Sequence, residues 1–88
     1  MIPRTLGKTA TLKTIRAVAS DFVSVDIDTI EPNMMLEDIS GWTSFAHINI
    51  MLLLEEALGI SFRTDDISSV ETIEDLMEII STATTQNL

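Results

Sequence analysis

Two side chains with reactive potential stand close together in mid-sequence, Ser44 and His47. On a helix they occupy adjoining turns, but a serine–histidine pair also needs a third group to orient the imidazole and donors for an oxyanion. Nothing at a sensible spacing supplies either. His47 is the sole histidine and there is no cysteine, which removes the zinc patterns, disulfides and a thiolate nucleophile. Asp26, Asp28 and Glu31 superficially suggest a calcium loop, yet its glycine and terminal glutamate positions are unfilled. No metal site is expected. Gly41 and Gly59 are single turn residues and not a phosphate-cradling loop. Glu55–Glu56 and Asp65–Asp66 read as solvated charge. Ser44 remains, at the mouth of the most apolar helix, and its residue type there reads as an N-cap.

The chain has 88 residues, 45% of them hydrophobic, which gives one folded domain with one modest core. Fourteen acids against five bases leave a net charge of −9. That charge opposes a phosphate backbone and an anionic membrane surface, so neither nucleic acid nor membrane is an expected partner. A basic patch on an enzyme would attract it. The N-terminal sequence lacks the apolar stretch of a signal peptide, and with no cysteine the chain suits a cytoplasmic setting.

Periodicity gives three principal helices, a short fourth and a long loop between the first two. Residues 1–9 read as an arm, 10–81 as the domain and 82–88 as a frayed tail. The first helix starts near Thr11, with Thr9 or Thr11 as cap. It buries Leu12, Ile15, Ala19 and Phe22 and stops near Ser24. The connector, residues 24–43, carries Ile27, Ile30, Met35, Leu36 and Ile39, which should pin it to the helices. The second helix runs from 44 to 58, with Phe45, Ile48, Met51, Leu52 and Leu58 as one stripe. Ile50, Leu53 and Leu54 extend the apolar arc nearly all round, and Gly59 ends it. Such a helix needs cover on more than one side: core on one, something else on the other. Asp65–Ser69 suit a turn of helix. The last helix begins near Thr72 with a Thr72–Asp75 capping pair and buries Ile73, Leu76, Met77 and Ile80. Trp42 should cap the core beneath the loop.

GWTSF at 41–45, LEEALGISF at 54–62, TIEDLMEII at 72–80 and the upstream IEPNMMLEDISGW resemble the acyl and peptidyl carrier protein family, across about Leu12 to Ile80. The resemblance implies an all-α four-helix bundle of the acyl-carrier type that is not an enzyme. It implies 4′-phosphopantetheine, taken from coenzyme A, esterified to Ser44 and carrying intermediates as thioesters. It also implies docking through Thr43, Phe45, Ile48, Asn49, Leu52, Glu55 and Glu56, and an acyl pocket or loop at Trp42, Ile60 and Phe62. Partners would be a phosphopantetheinyl transferase and acyl-loading and condensing enzymes with basic docking patches, acting on a monomer. Polyketide or related natural-product assembly is the preferred setting. Peptidyl cargo, fatty acid service and an unmodified adaptor are the alternatives. One departure stands out: Thr43 occupies the place of the family's usual aspartate, and Asn49 is neutral where an acid is frequent. His47 adds no dependable charge near pH 7. The acidic recognition face is thus thinned beside Ser44.

Overall fold

Four helices form where the apolar spacing demands them, and the computed structural model describes residues 7–86. They are α1 (Lys8–Ala19), α2 (Ser44–Leu58), α3 (Thr64–Ser69) and α4 (Ile73–Gln86). Two short 3-10 turns, Ile27–Thr29 and Leu36–Asp38, lie in the long connector between α1 and α2. The architecture is the expected all-α bundle. Its core joins Ile15 and Ala19 of α1, Ile50, Met51 and Leu54 of α2, and Ile73, Leu76 and Ile80 of α4, with Ile30, Leu36 and Ile39 from the connector.

Helix α1 differs at both ends from its expected span. It starts at Lys8, with Gly7 as an extended N-cap, so Lys8 and Thr9 belong to the helix and not to the arm; residues 1–6 of the arm lie outside the described residues. Thr11 is no cap. It is buried inside the helix, and its hydroxyl donates to the Gly7 carbonyl at 2.9 Å, which satisfies a polar atom that would otherwise be stranded. The helix stops at Ala19, and the amides of Phe22 and Val23 both turn back to the Ala19 carbonyl. At the other end of the chain α4 continues to Gln86, and Thr84 is buried with its hydroxyl on the Ile80 and Ser81 carbonyls. The part of the expected tail from 82 to 86 is therefore helical.

The connector is held by its main chain as much as by its apolar side chains. Leu36 N–H donates to the Glu71 carbonyl, and Ile73 and Glu74 N–H donate to the Met34 and Pro32 carbonyls. These bonds lash the loop to the start of α4. At its start Asp26 accepts from the Asp28 amide. Arg16 of α1 donates to the Ile30 carbonyl through two nitrogens, at 3.1 and 2.6 Å, and pairs with Glu31 at 3.2 Å. Of the acids that superficially suggest a calcium loop, Asp26 is thus occupied in a turn and Glu31 in an ion pair. The capping pair at α4 forms in both directions: Asp75 accepts from the Thr72 amide and Thr72 Oγ1 accepts from the Asp75 amide.

Two glycines with positive φ punctuate α2. Gly59 ends it in the left-handed region, and the Ile60 amide returns to the Glu55 carbonyl at 3.1 Å. Gly41, at φ 97°, precedes α2 and passes so close to the exit of α1 that a Cβ there would lie 2.6 Å from the Phe22 carbonyl oxygen and 2.7 Å from Val23 Cα. Nothing crowds Gly59 in this way. Gly59→Ala should therefore cost about 1–2 kcal/mol through backbone strain alone. Gly41→Ala should cost more, because two stretches of main chain must separate. Denaturant unfolding of both variants checks the order, and equal losses would mean that the close approach carries little energy.

Candidate functional site

The site is built from the turn before α2 upward. Gly41 reverses the chain, Trp42 N–H closes on the Ile39 carbonyl, and Trp42 is buried with 7% of its surface exposed. The N-cap is Thr43 and not Ser44: extended in backbone, it accepts the Ala46 amide on Oγ1 at 3.1 Å. Ser44 is consequently the first helical residue. Relieved of capping, it is exposed, and its hydroxyl makes no hydrogen bond to any described residue. A threonine where an acid is usual in the resembling family still performs the cap, because the cap needs only a side-chain oxygen.

Helix α2 divides its apolar residues between two tasks. Ala46, Ile50, Met51 and Leu54 enter the core. Phe45, Ile48 and Leu52 point outward with 75, 51 and 56% of their surfaces exposed, and Leu53 joins them at 40%. Met51, expected in the same stripe as Phe45 and Ile48, belongs to the buried side. Burying such a side chain is worth roughly 1.5–3 kcal/mol, so leaving three in one row exposed forgoes several kcal/mol of stability. Asn49 donates to the Phe45 carbonyl of its own helix. Glu56 is exposed, whereas the Glu55 carboxylate accepts the Phe62 amide at 2.7 Å and holds the loop after the helix.

A cavity of about 480 Å³ opens beside Ser44, with Met35, Leu36, Trp42, Ile48, Ile67 and Val70 among its apolar walls. Of the three residues expected at an acyl pocket, only Trp42 lines it. Ile60 is buried and Phe62 half-buried elsewhere, near the far end of α2. A larger cavity of about 620 Å³ lies between the start of α1 and α4 and includes none of the expected site residues.

His47 carries a contact that its sequence position did not announce. Trp42 Nε1–H donates to His47 Nδ1 at 3.0 Å, and His47 Nε2 lies 2.9 Å from the Ile67 carbonyl of α3. An indole nitrogen can only donate, so Nδ1 carries the lone pair and Nε2 the proton. The imidazole thereby joins the loop through α2 to α3. No spacing rule links a tryptophan, a histidine five residues later and a carbonyl twenty beyond.

Comparison with known proteins agrees with this arrangement. The family model for the phosphopantetheine attachment site matches residues 13–80. An acyl carrier protein of Desulforapulum autotrophicum is 31% identical over 68 residues, covering 77% of this chain and 88% of that protein. One from Thermosynechococcus vestitus is 20% identical over 76 residues, 86% of this chain and 94% of its own. Among solved structures, the hexanoyl form of the acyl carrier protein of the actinorhodin polyketide synthase from Streptomyces coelicolor superposes with a TM-score of 0.79 at 22% identity, over 99% of this chain and 100% of that one. The acetyl form gives 0.71 at 23% identity, over 96% of each. At this identity the two structures speak for the fold. The family model, however, matches more than half of the chain in sequence, and the chain belongs to the phosphopantetheine-attachment family of carrier domains.

Proposed function

We propose that this protein is an acyl carrier protein that holds 4′-phosphopantetheine on Ser44 and presents thioester-bound intermediates to partner enzymes, in polyketide or related natural-product assembly. The observation that carries the reading is the state of the Ser44 hydroxyl: exposed, unbonded and first in α2. The residues present suit the group. A helix N-terminus favours an anionic phosphate, and Thr43 already serves the Ala46 amide, which leaves the earlier amides of the helix for that phosphate. When bound, the arm supplies a thiol, a function this cysteine-free chain lacks. The chain is a carrier and no catalyst. Loading would exchange the Ser44 O–H bond and a pyrophosphate P–O bond of coenzyme A for a Ser44 O–P bond, with adenosine 3′,5′-bisphosphate as leaving group and the proton passing to the transferase.

Docking falls to the outward row Phe45, Ile48 and Leu52, with Glu56 as the exposed acid on the same helix. Thr43 and Asn49 border this face without charge. Glu55 contributes chiefly by fixing the loop at Phe62. The polyketide setting rests on the kinship in fold with the actinorhodin carrier and on the Gly-Trp that leads into the serine region.

Incubation with coenzyme A and a broad-specificity phosphopantetheinyl transferase should add one arm of about 340 Da by intact mass, and none in Ser44→Ala. An unmodified wild-type chain across several transferases would instead indicate an adaptor. Thr43→Asp should retain the cap, add a charge beside the site and speed loading. Thr43→Ala should lose about 1 kcal/mol in thermal or denaturant unfolding. Charge reversal at Glu56 should slow partner encounter at low salt and matter little at high salt. Reversal at Glu55 should also loosen the loop at Phe62, visible as faster hydrogen exchange of that amide. Identical behaviour of the two glutamates would refute their division of labour.

A further inference from the structure

We infer that His47 is a positioning residue that latches α3 over the cavity beside Ser44 and so restricts what that cavity shelters to short or polar groups. Helix α3 is the shortest of the four helices and touches the core only through the half-buried Ile67. It has six residues, none of them buried, and no side-chain N-cap. Among the described residues, the hydrogen bond from His47 Nε2–H to the Ile67 carbonyl is the one that reaches it from another helix. The same imidazole is fixed from its other edge by the indole of Trp42, with ring centroids 6.2 Å apart and planes tilted by 44°. Trp42, His47 and Ile67 all line the cavity that opens at Ser44.

The cavity's walls are therefore tied together by a polar bridge, although most of its surface is apolar. A long alkyl chain forced between Trp42 and Ile67 would break the bridge and, by excluding water itself, leave an indole N–H and a main-chain carbonyl without partners. A short chain stays near the mouth and pays no such penalty. A polar group can bond to the bridge or to Thr64 and Ser68 at the cavity wall. Cargo selection at Ser44 rests on the function proposed above, but the latch itself is a property of the unloaded protein.

The experiment uses the absence of cysteine. Ser44→Cys, with no other thiol in the chain, takes a short or a long alkyl group as a mixed disulfide, with no coenzyme A or transferase. With His47 present, a small thiol should release both groups at the same rate, since neither enters deeply. In Ser44→Cys/His47→Leu the long chain should be released about fivefold more slowly, because the unlatched cavity shelters it. In the unmodified protein, His47→Leu should speed amide exchange in α3 about tenfold, with the core amides of Ile50 and Leu54 unchanged. His47→Gln, whose amide nitrogen can still donate to the Ile67 carbonyl, should restore slow exchange in α3 without restoring the Trp42 indole N–H resonance. Unchanged α3 exchange in His47→Leu overturns the latch. Faster α3 exchange with equal release of both chains overturns the selection. Neither result depends on whether the arm is added at Ser44, which the mass measurement decides separately.

Discussion

The close pass of Gly41 against Phe22, Val23 and Ser24 is the constraint on which the site depends. Only a residue without a Cβ, in a left-handed conformation, lets the connector return so near the exit of α1. The Ser24 amide seals the approach by donating to the Ser40 carbonyl at 2.7 Å. From that point the chain has few choices. Trp42 must turn inward beneath the loop, Thr43 arrives extended at the cap, and Ser44 opens the helix with its hydroxyl in water. Had the turn come one residue later, Ser44 would be the cap and its oxygen would be occupied by an amide. The availability of one hydroxyl is thus a consequence of backbone sterics two and three residues upstream.

The second requirement is a loop that does not move away. A connector of this length would be costly to order by apolar contacts alone, since each residue fixed costs about 1–2 kcal/mol in backbone entropy. Here Arg16 grips its first half through the Ile30 carbonyl, and main-chain bonds join its second half to the start of α4. The second 3-10 turn, Leu36–Asp38, then places Leu36 and Ile39 in the core. The wall of the cavity formed by Met35 and Leu36 is therefore firm, and α3, on the opposite side, is the yielding one.

Much of this could be read from the residues. The span of α2, its end at Gly59, the Thr72–Asp75 capping pair and the burial of Ile73, Leu76 and Ile80 in α4 follow from local rules that act within a turn or two, whereas Met77, expected in the same row, is only half-buried. The ends of α1 did not follow, because Thr11 looks like a cap until the Gly7 carbonyl takes its hydroxyl. The cap of α2 was misplaced by one residue: threonine and serine are adjacent, both can cap, and the choice is made by the turn at Gly41. Periodicity assigned Met51 to the wrong face because a helix apolar nearly all round has no polar side to orient it. Of the residues expected at an acyl pocket, Trp42 lines the cavity beside Ser44, whereas Ile60 and Phe62 lie in the loop after α2, where the Glu55 carboxylate accepts the Phe62 amide. The Trp42–His47–Ile67 relay is long-range and polar, and only the packed chain brings it together.

The same contacts decide how charge and apolar surface share recognition. A net charge of −9 is large for the chain, yet little of it stands on α2. That helix carries only Glu55 and Glu56, both in its C-terminal half, and Glu55 is engaged by Phe62. An exposed charge pair is worth about 0.2–1 kcal/mol. Covering Phe45, Ile48 and Leu52 would return roughly 1.5–3 kcal/mol for each side chain fully buried. If the outward face of α2 docks partners as proposed, affinity there comes mainly from the apolar row, while the overall negative field governs how fast partners arrive. On the same proposal, the neutral Thr43 and Asn49 lower the charge beside Ser44, which slows encounter and leaves the apolar row that would hold a docked partner unchanged.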